Sequence, residues 1–161
     1  MRTTVNVQSA GPLRDIPLGK IKEAVAAAPE DADFAQAAIW KIKLPGKIDP
    51  GVDPLLRMDY VGDVARVSLN GKLLTDDFYN GNPFEVGLNR YAPEILNGDL
   101  RVSILPLRKD TPIYLAESAK PDFGNAASIV ALRGLEIIPR YSVQLSAQNS
   151  LSHVLETAKA E

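Results

Sequence analysis

Short stretches of alternating apolar and polar residues recur along the chain. Trp40, Ile42 and Leu44 alternate with Lys41 and Lys43, and Leu56, Met58 and Tyr60 alternate with Arg57 and Asp59. Leu100, Val102 and Ile104 do the same against Arg101 and Ser103. A period of two puts one set of side chains on one face of an extended segment, so each stretch predicts a half-buried β-strand. Thr3 to Val7 is a short β-prone run, Ile16 to Val25 reads as a first strand, and Phe84 to Leu88 is apolar at alternate positions. Pro106 and Pro112 bracket an edge-like segment leading to Ile113, Tyr114 and Leu115. Ile129 to Ile138 and Tyr141 to Leu145 complete the set, interrupted by Pro139. The strongest local signal is Asn70-Gly71, flanked by Val64 to Leu69 and Lys72 to Thr75. A type I′ turn needs positive φ at both central residues, which Asn tolerates and Gly adopts freely, so this stretch predicts a tight hairpin.

Breakers separate these runs. The segment Leu44 to Pro54 is too rich in Pro and Gly for a central strand, Thr75 to Pro83 reads as a polar loop, and so does Ala119 to Ala127. Helical propensity around Ala24 to Ala28 stops at Pro29, and Asp31 to Ala38 favours at most one turn capped by Asp31 or Asp33. About eight or nine short strands, with no long amphipathic helix among them, predict an all-β antiparallel sandwich or barrel. The division expected is a β-sandwich domain over 1–145, with 1–15 as an N-terminal arm, followed by a tail over 146–161. In that tail Leu151, Val154, Leu155 and Ala158 fall at helical spacing after Asn149 or Ser150, which predicts a short C-terminal helix.

Composition narrows the chemistry. The 161 residues suit one domain with a substantial core, and 45% hydrophobic against 24% charged residues is ordinary for a globular protein. Net charge is −2 with 18 scattered Lys and Arg, so no basic stripe neutralises a phosphate backbone and nucleic acid is not an expected partner. No apolar run is long enough to span a bilayer as a helix, no membrane partner is expected, and no signal peptide is visible. There is no Cys, which excludes disulfides and thiolate catalysis, and a single His, His153, lies in the tail. A tetrahedral zinc site would need an unusual carboxylate set, and a Ser-His-Asp triad would have to recruit that terminal residue. No phosphate-cradling glycine motif appears. No cofactor is expected. Structural calcium is conceivable from the turn aspartates but not favoured, because no Asp-x-Asp-x-Asp-Gly pattern exists.

Glycosidases use paired carboxylates, and the candidates are Asp76, Asp77, Glu85, Glu94 and Glu117. In an extended segment Asp76 and Asp77 point to opposite faces, and Glu85 most simply faces solvent. Sugar contact has better ingredients. Asp76 to Asn82 combines carboxylates, the amides of Asn80 and Asn82, and the rings of Phe78 and Tyr79. Such groups offer hydroxyl partners and an apolar ring face. The candidate carbohydrate-binding set is Asp77, Tyr79, Asn80, Asn82 and Arg90, with Tyr79 stacking on a sugar ring. The competing role for Phe78 and Tyr79 is burial in the sandwich or against a neighbouring domain, with the amides satisfying turn backbone. Trp40, on the apolar face of its strand, is read as core.

The order Gly62-Asp-Val-Ala-Arg-Val-x-Leu-Asn-Gly-Lys-Leu73, then Asp76-Asp-Phe-Tyr-Asn-Gly-x-Pro-Phe-Glu-Val-Gly-Leu88, resembles the non-catalytic β-sandwich of bacterial glycoside hydrolase family 35 β-galactosidases. Leu105 to Leu115 is similar to the continuation of the same domain. The likeness is most specific over 60–115 and looser from about Asp33 to about Leu145. It implies a jelly-roll, galactose-binding-like fold. It also implies an accessory module that supports a catalytic (β/α)8 barrel on the same or a separate chain, borders its cleft and contacts β-galactoside or polysaccharide. The chain lacks the length and helix pattern of that barrel, so it is not expected to be an enzyme by itself. The resemblance points to export or the periplasm. The alternatives are a free-standing carbohydrate-binding module and a purely structural assembly domain.

Overall fold

The computed structural model describes residues 6–7, 26–45 and 52–145. Among the described residues ten strands and one short α-helix follow in order. They are β1 (Asn6–Val7), β2 (Ala38–Ile42), β3 (Leu55–Val61), β4 (Val64–Leu69), β5 (Lys72–Phe78), β6 (Phe84–Gly87), α1 (Glu94–Asn97), β7 (Leu100–Ile104), β8 (Leu107–Arg108), β9 (Ser128–Ile129) and β10 (Ala131–Ile138). All ladders are antiparallel. A five-stranded sheet runs β1-β2-β7-β4-β5, a three-stranded sheet runs β10-β3-β6, and β8 with β9 forms a small ribbon. The protein is therefore mostly β. The predicted helical tail, His153 and the whole Ile16 to Val25 run lie outside the described residues.

The alternating stretches do what their period demands. Trp40 and Ile42 of β2, Leu100, Val102 and Ile104 of β7, and Ala65 and Val67 of β4 are buried. From the other sheet come Leu56, Met58 and Tyr60 of β3, with Phe84 and Val86 of β6. All belong to one hydrophobic cluster, onto which Leu132, Leu135 and Ile137 of β10 also pack. Removing these side chains from water is the main favourable term holding the two sheets together. The intervening Lys41, Asp59 and Arg101 are exposed.

The hairpin forms at Asn70-Gly71, with φ of 51° and 81°. It is also tied to the start of β7, because Asn70 N–H donates to Asp99 O at 3.0 Å and Asp99 N–H donates to Asn70 Oδ1 at 2.9 Å. The second arm runs further than the polar pattern suggested. Thr75, Asp76, Asp77 and Phe78 pair with Val67, Arg66, Ala65 and Val64. Ladder bonds to β4 outweigh the weak β-propensity of the two aspartates.

Several local readings are corrected. The turn before β2 spans Asp31–Gln36 and is preceded by Glu30. Asp33 sits inside it, accepting the Glu30 N–H at 2.7 Å, and Asp31 instead pairs with Arg66 at 2.7 Å. Ile113 to Leu115 forms no strand. Its donors go to local turns, Thr111 N–H to Arg108 O and Ile113 N–H to Thr111 O, and Pro112 has none to give. The run Ile129 to Ile138 is divided at Val130, so that β9 pairs with β8 and β10 with β3. Tyr141 to Leu145 makes no ladder either. Pro139 interrupts the strand, and Arg140 is held at Asp53, with Asp53 N–H donating to Arg140 O at 3.1 Å and an ion pair joining the side chains.

Candidate functional site

The chain leaves β3 for β4 through Gly62 and Asp63, crossing from the smaller sheet to the larger. Asp63 N–H donates to Leu105 O at 2.8 Å, Leu105 N–H to Val64 O at 2.9 Å, and Tyr79 N–H to Asp63 O at 2.9 Å. Three crossings are thereby fastened at one end of the molecule, where β5 hands over to the loop that carries most of the expected sugar-binding residues.

Tyr79 lies in the core, with 8% of its surface exposed. Its ring meets Tyr60 edge-on at 5.6 Å between centroids, and its hydroxyl donates to Ala119 O at 2.9 Å. Burial pushes the Tyr79 phenol pKa above its ordinary value. A ring held this way has no face free for a sugar, so the stacking role expected of Tyr79 is corrected to a structural one. Phe78, next in line, is 53% exposed, as alternation along a strand requires.

Asp77 also points inward. Tyr60 Oη–H lies 2.9 Å from Asp77 Oδ2 and 3.0 Å from its backbone oxygen, a link between the two sheets. Burial raises the Asp77 pKa, partly offset by the bond from Tyr60, with Asp76 adding repulsion. Burial together with the facing carboxylate drives the Tyr60 phenol far upward. Asn80 and Asn82 are exposed, and Asn82 N–H donates to Asn80 Oδ1 at 2.8 Å in an Asx-type turn. Between them Gly81 has φ of 87°, and a Cβ there would lie 2.9 Å from Ala119 Cα. The loop is clamped against the Glu117–Ala119 turn.

Arg90 is not part of this group. It lies in the Asn89–Tyr91 turn beyond the far end of β6, with its guanidinium 5.9 Å from the Tyr91 ring centroid. Asp77, Asn80 and Asn82 precede that strand, so β6 separates them from Arg90. The carboxylates considered for hydrolysis are spread over several elements, with Asp76 and Asp77 alone sharing one strand, β5. Asp76 is exposed opposite Asp77, Glu85 pairs with Arg57 at 2.6 Å, Glu94 opens α1, and Glu117 pairs with Lys120 at 2.5 Å. Among the described residues no three His, Cys, Asp or Glu side chains gather as a metal site, and no helix is long and apolar enough to cross a membrane.

The same end holds a concavity that sequence reasoning missed. The segment from Leu107 through Phe123 folds around a cleft of about 280 Å³. Arg108, Lys109, Lys120, Thr111 and Phe123 line it, together with Leu107, Ile113, Leu115 and Pro121. Asp110 takes two bonds from Arg108, at 2.9 and 2.7 Å, which hold its carboxyl below the ordinary range. One signal was present in the sequence, the loop read at Ala119 to Ala127, since loops carried by a rigid scaffold are where binding residues concentrate. The cationic lining was not legible because Lys109 and Lys120 meet only through the fold. A larger cleft of about 520 Å³ lies at the opposite end, between β2 and α1. There Lys41 and Arg101 are spent on Asp99, at 3.0 and 2.5 Å.

No protein-family model matches the chain, and no curated protein or solved structure is found similar to it.

Proposed function

We propose that the chain is a non-catalytic accessory β-sandwich that docks onto a partner, of the kind that supports a family 35 β-galactosidase barrel and borders its substrate cleft. The observation that carries this reading is the segment after β10. Tyr141, Val143 and Leu145 are 73%, 80% and 92% exposed, at every second position, with Ser142 and Gln144 between them. Apolar side chains concentrated this way mark an interaction surface rather than the scatter usual on a monomer. An extended segment of period two is also what adds to a partner sheet or lies along an apolar groove.

Support for the jelly-roll part of the reading is the strand order. With β1 and the β8–β9 ribbon set aside, β2-β7-β4-β5 forms one sheet and β10-β3-β6 the other, and the chain passes repeatedly between them. A jelly roll built of paired Greek keys would order its strands in this way. The resemblance over 60–115 supplies the link to galactosides, and fold alone does not establish that activity. A free-standing carbohydrate-binding module is the second reading, favoured by the cleft around Phe123.

The test is association of the chain with a family 35 catalytic barrel stripped of its own β-sandwich domains, followed by sedimentation. The expected result is a complex weakened at least about tenfold when Tyr141, Val143 and Leu145 are all replaced by Ser. Equal association of that variant would remove the segment from the interface. Absence of any complex, with galactan binding retained, would leave the free-standing module.

A further inference from the structure

We infer that the cleft between Leu107 and Phe123 is a binding site for a small single-ring carboxylate. The argument rests on three features of its wall. First, its charge is one-sided: Arg108, Lys109 and Lys120 line it, and no acidic side chain does among the described residues. Asp110 and Glu117 offset Arg108 and Lys120 from beside the cleft, whereas Lys109 is exposed and forms no ion pair among the described residues. Second, Thr111 is part of the wall, and its hydroxyl is shut off from solvent without a hydrogen-bond partner among the described residues. Buried polar atoms are nearly always paired, so this one marks a place where a bonding group is wanted. Third, the remaining wall is apolar, with the half-buried Phe123 ring beside Ile113, Leu115 and Pro121.

These features select the ligand. An ammonium is a point charge that suits a carboxylate without demanding forked geometry, and the one guanidinium present is already engaged by Asp110. A volume of about 280 Å³ lies at the small end of ligand cavities and suits one ring rather than a chain of them. The apolar wall receives the flat face of that ring, whether an aromatic ring or the C–H face of a sugar. Hexuronates and aromatic carboxylates share this chemistry. The site is independent of the docking segment after β10, so failure of one leaves the other standing.

The experiment titrates the full chain with galacturonate, benzoate, galactose and acetate while following amide NMR shifts. The expected result is that galacturonate or benzoate moves the amides of Lys109, Thr111, Lys120 and Phe123, with a dissociation constant of about a millimolar. Acetate and galactose should bind at least about fivefold more weakly, since each lacks one of the two recognised features. Lys109→Ala should weaken the better anion by about fivefold or more at an unchanged melting midpoint, and Lys120→Ala serves as the second variant should the first unfold. Thr111→Val should penalise galacturonate and spare benzoate if a sugar acid is the ligand, and affect neither differently if an aromatic acid is. Equal binding of galactose and galacturonate, equal binding of acetate and benzoate, or no shifts at these residues would each overturn the assignment.

Discussion

Three Asn-Gly dipeptides occur in this chain, and two of them show how differently one local signal can be used. At Asn70-Gly71 both residues take positive φ and close a two-residue hairpin, and nothing among the described residues lies within 4 Å of where a Gly71 Cβ would stand. At Asn80-Gly81 only the glycine has positive φ; the Asn side chain closes an Asx turn and the glycine is pressed onto Ala119. The first turn is set by its own two residues. The second is set by a segment forty positions away, through Gly81 on Ala119 and the Tyr79 hydroxyl on Ala119 O. One turn is a local device and the other a clamp that fixes the loop end of the sandwich.

That contrast is most severely tested by Tyr79→Ala. Losing a buried ring that joins Tyr60 and the Glu117–Ala119 turn should cost about 3–5 kcal/mol. That is a large share of the stability of a typical domain. Chemical denaturation should show a correspondingly lower midpoint; a change near zero would mean the ring is not structural and would return it to the binding surface.

The two glycines sharpen the comparison directly. Gly71→Val meets only the strain of a β-branched residue at positive φ, about 1–3 kcal/mol. Gly81→Val meets the same strain and also collides with Ala119 backbone, which a rigid turn cannot yield cheaply. Measured side by side, the Gly81 variant should be the less stable of the two. Equal losses would show that Ala119 gives way and that the clamp is soft.

Tyr79→Phe keeps the ring and removes its bond to Ala119 O, for an expected loss of about 1 kcal/mol. Amide exchange in the Glu117–Ala119 turn should quicken in this variant while the Asn70-Gly71 hairpin stays protected. Equal acceleration at both turns would mean that the loop end and the hairpin open as one unit.

The smallest effect concerns Asp77. Its folded-state pKa is raised by burial, so its ionised form opposes folding at neutral pH, and that cost disappears as pH falls through the folded value toward the unfolded one. Asp77→Asn keeps an acceptor for Tyr60 and has no charge to bury. The variant should therefore be slightly more stable than the parent at pH 7, with the gain vanishing near and below the ordinary carboxylate range. A gain that persists unchanged in acid would mean that charge is not the cause. Asp99 behaves oppositely. Bonds from Arg101 and Lys41 lower its pKa, so what it contributes is present at neutral pH and lost in acid.

The sequence by itself determined the strands whose residues alternate, because one buried face per strand leaves only one register that covers it. It also determined the Asn70-Gly71 hairpin, since few other dipeptides reach two successive positive φ values at low cost. Trp40, Ile42, Leu56, Met58, Leu100 and Ile104 could be assigned to the core from period alone. The same rule misled at Tyr141 to Leu145. There the alternation is present but no described strand lies alongside, and a period of two says nothing about whether a neighbour exists. Only the tertiary structure decided that Asp76 to Phe78 continue β5, because their pairing partners lie across the hairpin on β4. It also decided which of Phe78 and Tyr79 enters the core, since that depends on where β5 ends and on Ala119 receiving the phenol. The Lys109, Thr111, Lys120 and Phe123 wall was settled the same way. Each of those residues is unremarkable in its own sequence neighbourhood, and their common cleft arises because turns within a long connection fold the chain back on itself.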